Sequence, residues 1–276
     1  MTYHPLGNDN ISTAVETAVN RLKLKVDGSF VFGWHKKSAG CRVITSDGEI
    51  LWLRVQSRPK GTEPSKLWLG LQEAEPIPIE NKPKLKSLVE WVIDARVWRA
   101  ELMTFVPYSV CSSTAELRAP LMLGSNWYTK LVTALSSLSL YKTERVNARQ
   151  DLITRRLHER FGSAVDSRID EWATAHGDIH WANLTRPDCW IFDWEAWGRS
   201  PQGLDAATLY CFSLMQAETA RDVYTHFKYV LDSPDGIKSQ LFMCAELMRM
   251  SELHGDHPDL YPHLKKLASR LLLKSD

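Results

Sequence analysis

The chain has 276 residues, of which 44% are hydrophobic and 24% charged, with 34 Lys+Arg against 33 Asp+Glu. This balance excludes a disordered chain, and a net charge of +1 argues against the electrostatic footprint of a nucleic-acid binder. No run approaches the roughly 18 apolar residues of a membrane span, and the opening MTYHPLGNDN lacks the basic-then-apolar pattern of a signal peptide.

The length exceeds the usual single-core size and suggests one large domain or two lobes with a cleft. Five scattered cysteines, Cys41, Cys111, Cys189, Cys211 and Cys244, contain no C-x-x-C, which fits a reducing cytoplasm better than a disulfide or zinc framework. Charge is uneven along the chain. Residues 1–150 carry 20 Lys+Arg and 14 Asp+Glu, whereas residues 151–276 carry 14 and 19, so an acidic second half would draw a cationic partner.

In chain order, apolar residues Ile11, Val15, Ala18, Val19 and Leu22 predict a helix from Ile11 to Leu24. SFVFGWHKKSAGCRVITSDGEILWLRVQ then reads as an antiparallel β-meander, with SDGE as a hairpin turn. A short helix follows near Ser65 to Glu75 between proline-rich breaks, then two apolar strands around DAR, ending at Pro107. These strands make residues 1–106 a β-rich lobe. From 107 to 276 the period is helical: STAELRAPLMLGSNWYTKLVTALSSLSLY, RQDLITRRLHERFG, LDAATLYCFSLMQAETARDVYTHFKYVL and KSQLFMCAELMRMSEL all predict amphipathic helices. Strands first and helices second give an α+β fold of two lobes.

The chemistry concentrates in HGDIHWANLTRPDCWIFDWE, residues 176–195. Asp178, Asn183 and Asp193 are all-oxygen donors set in an apolar, tryptophan-rich stretch, and such donors suit a hard cation like Mg²⁺ that shares its shell with phosphate oxygens. Asp193 follows the strand-like residues Cys189 to Phe192, so its carboxylate is expected at the end of a buried strand, where a charge needs a cation. Asp178 would remain free to accept a proton. A second H-G-D, in HGDHPDLY from His254, has tyrosine at the matching fifth position; His254, His257 and His263 read as a solvated turn.

His176-Gly177-Asp178 with Asn183, followed by Ile191-Phe192-Asp193-Trp194, resembles the H-G-D-x-x-x-x-N and I-D-W/F signature of the aminoglycoside phosphotransferase and choline kinase family, relatives of the protein kinases. The resemblance implies a bilobal kinase-like fold and ATP- and Mg²⁺-dependent phosphoryl transfer to a hydroxyl. The acceptor would be a small molecule of antibiotic or amino-alcohol type, or a peptide Ser/Thr. It casts Asp178 as the catalytic aspartate, Asn183 and Asp193 as the metal ligands, and His176 and Asp205 as supports of the loop. FVFGWHKKSAGCRVI resembles the nucleotide-covering β-loop-β, with Ser38 and Gly40 offering backbone N–H groups to phosphates. One departure stands out: ILWLRVQ places Arg54 where the family carries a phosphate-contacting lysine, with Glu63 or Glu73 as the candidate partner. That substitution motivates the alternative of a kinase-like scaffold without turnover.

Overall fold

A computed structural model describes residues 8–33 and 36–273, and the chain divides into two compact units. The first comprises residues up to Glu75 together with Pro83–Pro107; the second comprises Pro76–Lys82 and everything from Tyr108. The short segment Pro76–Lys82 thus groups with the second unit although its neighbours in sequence belong to the first.

In the first unit, helix α1 (Asn8–Leu22) precedes strands β1 (Lys25–Val26), β2 (Val31–Phe32), β3 (Ser38–Ile44) and β4 (Ile50–Pro59). Helix α2 (Lys66–Glu73) and strands β5 (Leu85–Ile93) and β6 (Arg96–Thr104) complete it. The sheet is antiparallel with order β1-β3-β4-β6-β5, and β2 pairs with β3 beside β1. The meander is therefore real: β2, β3 and β4 pair consecutively. Its tight turn closes at Thr45, whose N–H meets Glu49 O at 3.0 Å, with Gly48 at φ +88° where a side chain would be strained. Alternate residues Ala39, Cys41, Val43, Leu51, Leu53 and Val55 face inward, and α1 covers them with Ile11, Val15 and Ala18. Ser65 starts α2 because its Oγ accepts the Trp68 N–H at 3.2 Å.

The second unit runs through β7 (Ser109–Val110), α3 (Ser125–Ser139), α4 (Gln150–Phe161), β8 (Trp172–Ala175), β9 (Thr185–Arg186) and β10 (Gly198–Pro201). Helices α5 (Leu204–Ser213), α6 (Ala217–Leu231), α7 (Pro234–His254) and α8 (Tyr261–Leu272) follow. The helix expected from Ser113 begins only at Ser125. Pro120 pushes its predecessor out of helical geometry, and Ser112 Oγ captures the Thr114 N–H, so residues 112–124 form an irregular loop. The single helical pattern from Leu204 likewise breaks at Leu214–Gln216 into α5 and α6. All five cysteines are buried free thiols. Among the described residues no helix is long and apolar enough to cross a membrane.

Candidate active site

The 176–197 segment is a closed loop, because β8 and β10 pair antiparallel with Ala175 opposite Gly198. Within it, Ile179 and Trp181 are fully buried. Trp181 donates Nε1–H to Ser213 Oγ at 3.1 Å and stacks on Trp127 at 6.0 Å. These two anchors hold one side of the loop in the core and leave Asp178 and His180 on the other. This is why carboxylates and large apolar residues alternate here.

Asp205, at the start of α5, accepts the N–H of His176 at 2.7 Å and of Gly177 at 2.8 Å. Gly177 sits at φ +81°, and a Cβ there would stand 1.6 Å from Asn147 Nδ2, so both conformation and space demand glycine. Asn183 ends a short 3-10 turn, Trp181–Asn183, and its Nδ2 donates to Asp178 O at 3.0 Å and lies 3.3 Å from Asp178 Oδ2. None of those bonds uses Asn183 Oδ1, the amide atom able to ligate a metal. His180 Nε2 lies 3.2 Å from Asn183 Nδ2 and 3.6 Å from Asp178 Oδ2. Burial opposes charge on Asp178, yet His180, His176 and Asn183 together hold its carboxyl below the ordinary range. It is a carboxylate at neutral pH.

Asp193 follows from a hairpin closed at Asn183, since Phe192 N–H donates to Asn183 O at 2.8 Å. The expected buried strand is absent: Cys189–Phe192 make one isolated bridge, Leu184 with Ile191. The other side of this segment is taken by Pro76–Lys82, where Ile191 N–H donates to Asn81 O and Asn81 Nδ2 to Cys189 O. Asp193 itself is exposed, so burial does not force a cation onto it. What marks it is its backbone, at φ +61°, a left-handed conformation uncommon outside glycine and concentrated at functional sites. Arg145 secures the chain beyond it, donating to Glu195 O and, at 2.6 Å, to Trp197 O. Both Asp178 and Asp193 act electrostatically on His176, whose Nε2–H donates to Phe192 O at 2.9 Å. His176 therefore lies within the field of both aspartates. Among the described residues no three His, Cys, Asp or Glu side chains gather as a metal site. A cation here would rest on Asn183 and Asp193 and complete its shell from a ligand.

Two buried groups, His176 in this loop and Asp205 of α5 bonded to its backbone, titrate with opposite effects. Burial lowers the His176 imidazole from 6.5 to about 4, so below about 6.5 the unfolded chain takes a proton that the folded protein refuses, and stability falls with pH. Burial also raises Asp205 from 3.8 to about 6, outweighing its bonds from Gly177 and His176; there the folded protein holds the extra proton, and stability falls as pH rises from about 4 to 6. Each contributes about 3 kcal/mol, and the two nearly cancel. His176→Gln keeps a donor to Phe192 O but removes one contribution. The stability difference, wild type minus variant, should grow by about 3 kcal/mol from pH 4 to 6.5 in urea unfolding; a pH-independent difference would contradict the assignment.

In the first unit, Arg54 lies opposite Glu101 in the β4–β6 ladder, and its Nε and Nη2 stand 2.7 and 2.6 Å from Glu101 Oε2. Glu101 is completely buried, and Arg99 Nη1 approaches its other oxygen at 3.8 Å. Glu101 is neither of the expected partners, Glu63 and Glu73, and a cross-strand pairing 47 residues apart leaves no local signal in the sequence. Glu63 lies in the exposed loop before α2, and Glu73 is the last residue of α2. Ser38 and Gly40 fall within β3, and Gly40 faces Trp52: a Cβ would lie 2.6 Å from the indole. Trp34 and His35 of the same β-loop-β lie outside the described residues.

Solved structures share this architecture along almost the whole chain. Aminoglycoside phosphotransferase APH(4)-Ia aligns over 96% of this chain and 99% of its own, with a TM-score of 0.66 and 9% identity. The fold is that of the antibiotic phosphotransferases. Macrolide 2'-phosphotransferase MphH from Brachybacterium faecium aligns over 94% and 97%, with a TM-score of 0.56 and 14% identity. Amicoumacin kinase hAmiN, solved in complex with AMP-PNP, Ca²⁺ and Ami, aligns over 98% and 97%, with a TM-score of 0.52 and 11% identity. No family model and no curated protein sequence matches the chain.

Proposed function

We propose that the protein is a phosphotransferase that uses ATP and Mg²⁺ to phosphorylate a hydroxyl group on a small molecule. The observation that supports this reading is the grouping of Asp178 and Asp193 about the buried His176, with Asn183 bonded to Asp178, in a fold shared with antibiotic phosphotransferases. Asn183 and Asp193 would hold Mg²⁺, which when bound neutralises charge on the nucleotide phosphates. Asp178, kept ionised by its neighbours, orients the acceptor hydroxyl and accepts its proton at a carboxylate oxygen. Little covalent help is needed for phosphoryl transfer, so the rigid bracing by Asp205, Arg145 and Trp181 serves catalysis by positioning. The acidic second half favours an acceptor carrying a cationic group, such as an aminated antibiotic or an amino alcohol. Purified protein given ATP, Mg²⁺ and a panel of hydroxylated compounds should release ADP with at least one of them. Absence of both ADP release and nucleotide binding would instead favour a kinase-like scaffold, the reading that Arg54 in place of lysine supports.

Arg54 carries a prediction of its own as the cation for nucleotide phosphates in the first unit. Arg54→Lys retains the charge beside Glu101 and should bind ATP at least as well as wild type. Arg54→Ala should weaken ATP binding by roughly 1.5–3 kcal/mol, the value of a charge-assisted contact, and should also lower the unfolding midpoint because Glu101 loses its nearest cation. Calorimetry showing normal ATP binding by folded Arg54→Ala would confine Arg54 to a structural role.

A further inference from the structure

The second H-G-D of the sequence is not a solvated turn at its centre. His254 and His263 are exposed, but His257 is largely buried, in a left-handed conformation at φ +50°, with Nδ1 2.6 Å from Glu116 Oε2. Glu116 is itself buried and is held on its other oxygen by Arg118, which also reaches Asp259 at 2.7 Å. The His257 ring meets the edge of Phe212 at 5.3 Å and 77°. Phe212, on the last turn of α5 and only 5% exposed, also meets the His180 ring, at 5.8 Å and 79°. His180 touches both Asp178 and Asn183.

The two H-G-D stretches therefore converge on one phenyl ring. The loop from Cys111 to Leu117 is tied to both: Leu117 N–H donates to Phe212 O at 2.9 Å, Ser112 N–H to Trp181 O at 3.1 Å and Cys111 N–H to Leu184 O at 2.7 Å, while Glu116 holds His257. Edge-to-face ring contacts have a specific geometry, and packed side chains transmit displacement from one ring to the next.

We propose that His257 is a positioning residue for phosphoryl transfer, which locks onto Glu116, backs Phe212, and through it fixes the His180 imidazole against Asp178 and Asn183. This rests on the phosphotransferase reading above for its catalytic consequence, but not for its structural one. The substitution that isolates the ring is His257→Asn: asparagine tolerates the left-handed backbone and keeps a donor near the place of Nδ1, so Glu116 stays paired.

The experiment records histidine ring resonances and steady-state kinetics on the full chain, with the His180 signals identified by their loss in His180→Gln. In His257→Asn and in Phe212→Leu, the His180 resonances should move while those of His158 stay. On a verified acceptor, kcat should fall by roughly 10- to 100-fold with KM for ATP unchanged. His263→Ala should change neither. Unmoved His180 resonances in folded His257→Asn, or an unchanged kcat in both variants, would overturn the proposal. A wild type without turnover on any acceptor would defeat the phosphotransferase reading, and the resonance shifts would still decide whether the stack couples His257 to His180.

Discussion

Asp178→Asn should bind Mg²⁺-ATP nearly as well as the wild type, while turnover falls by roughly 10²–10⁴. Asparagine keeps the shape of the side chain and its neighbours His180 and Asn183, so the loop should stay in place. What is lost is the anionic oxygen proposed to receive the hydroxyl proton. Asparagine cannot accept a proton at neutral pH, whereas Asp178 is held in its carboxylate form even against burial. Nucleotide affinity measured by calorimetry and ADP release measured on a verified acceptor separate the two effects, with circular dichroism confirming the fold. Full turnover by this variant would move the catalytic base elsewhere.

Asp193→Asn should behave differently, losing Mg²⁺-ATP affinity and turnover together. The carboxylate is one of two proposed protein ligands, and Mg²⁺ held by so few groups depends on the negative charge of each. The substitution should cost little stability, because Asp193 is exposed and asparagine is as tolerant of its left-handed backbone as aspartate. An Asp193→Asn protein that binds Mg²⁺-ATP as wild type but has lost turnover would exchange the roles assigned to the two aspartates.

Much of this arrangement was legible in the sequence because the signals are local. The period-2 alternation of Ala39, Cys41 and Val43 marks a strand with one buried face, and Ser65 marks a helix start through a bond spanning three residues. Asp178 and Asn183 lie five residues apart, and their contact is made within that short loop. Illegible were the elements held by distant partners. Cys189–Phe192 looks like a strand because Cys189 and Ile191 are apolar, yet its hydrogen bonds are divided between Asn183 and Thr185 on one side and Asn81, 108 residues from Cys189, on the other, and make one isolated bridge instead of a full ladder. Glu101 gives no sign in sequence that it will face Arg54, and Arg145 stands in a polar stretch with no periodicity to show that it will brace the chain beyond Asp193. His257 looked solvated because its neighbours are polar and prolyl, whereas its burial depends on Glu116, 141 residues earlier. The exposure of Asp193 shows the same limit: apolar neighbours in sequence do not bury a side chain when the backbone turns it outward.

The most direct test of the central claim is a calorimetric titration of the wild-type protein with ATP, performed once with Mg²⁺ and once with the metal removed by a chelator. Saturable binding is expected with Mg²⁺ and strongly weakened binding without it, because the proposed ligands Asn183 and Asp193 would engage the phosphates through the metal. Absence of binding under both conditions, or binding indifferent to Mg²⁺, would contradict that claim.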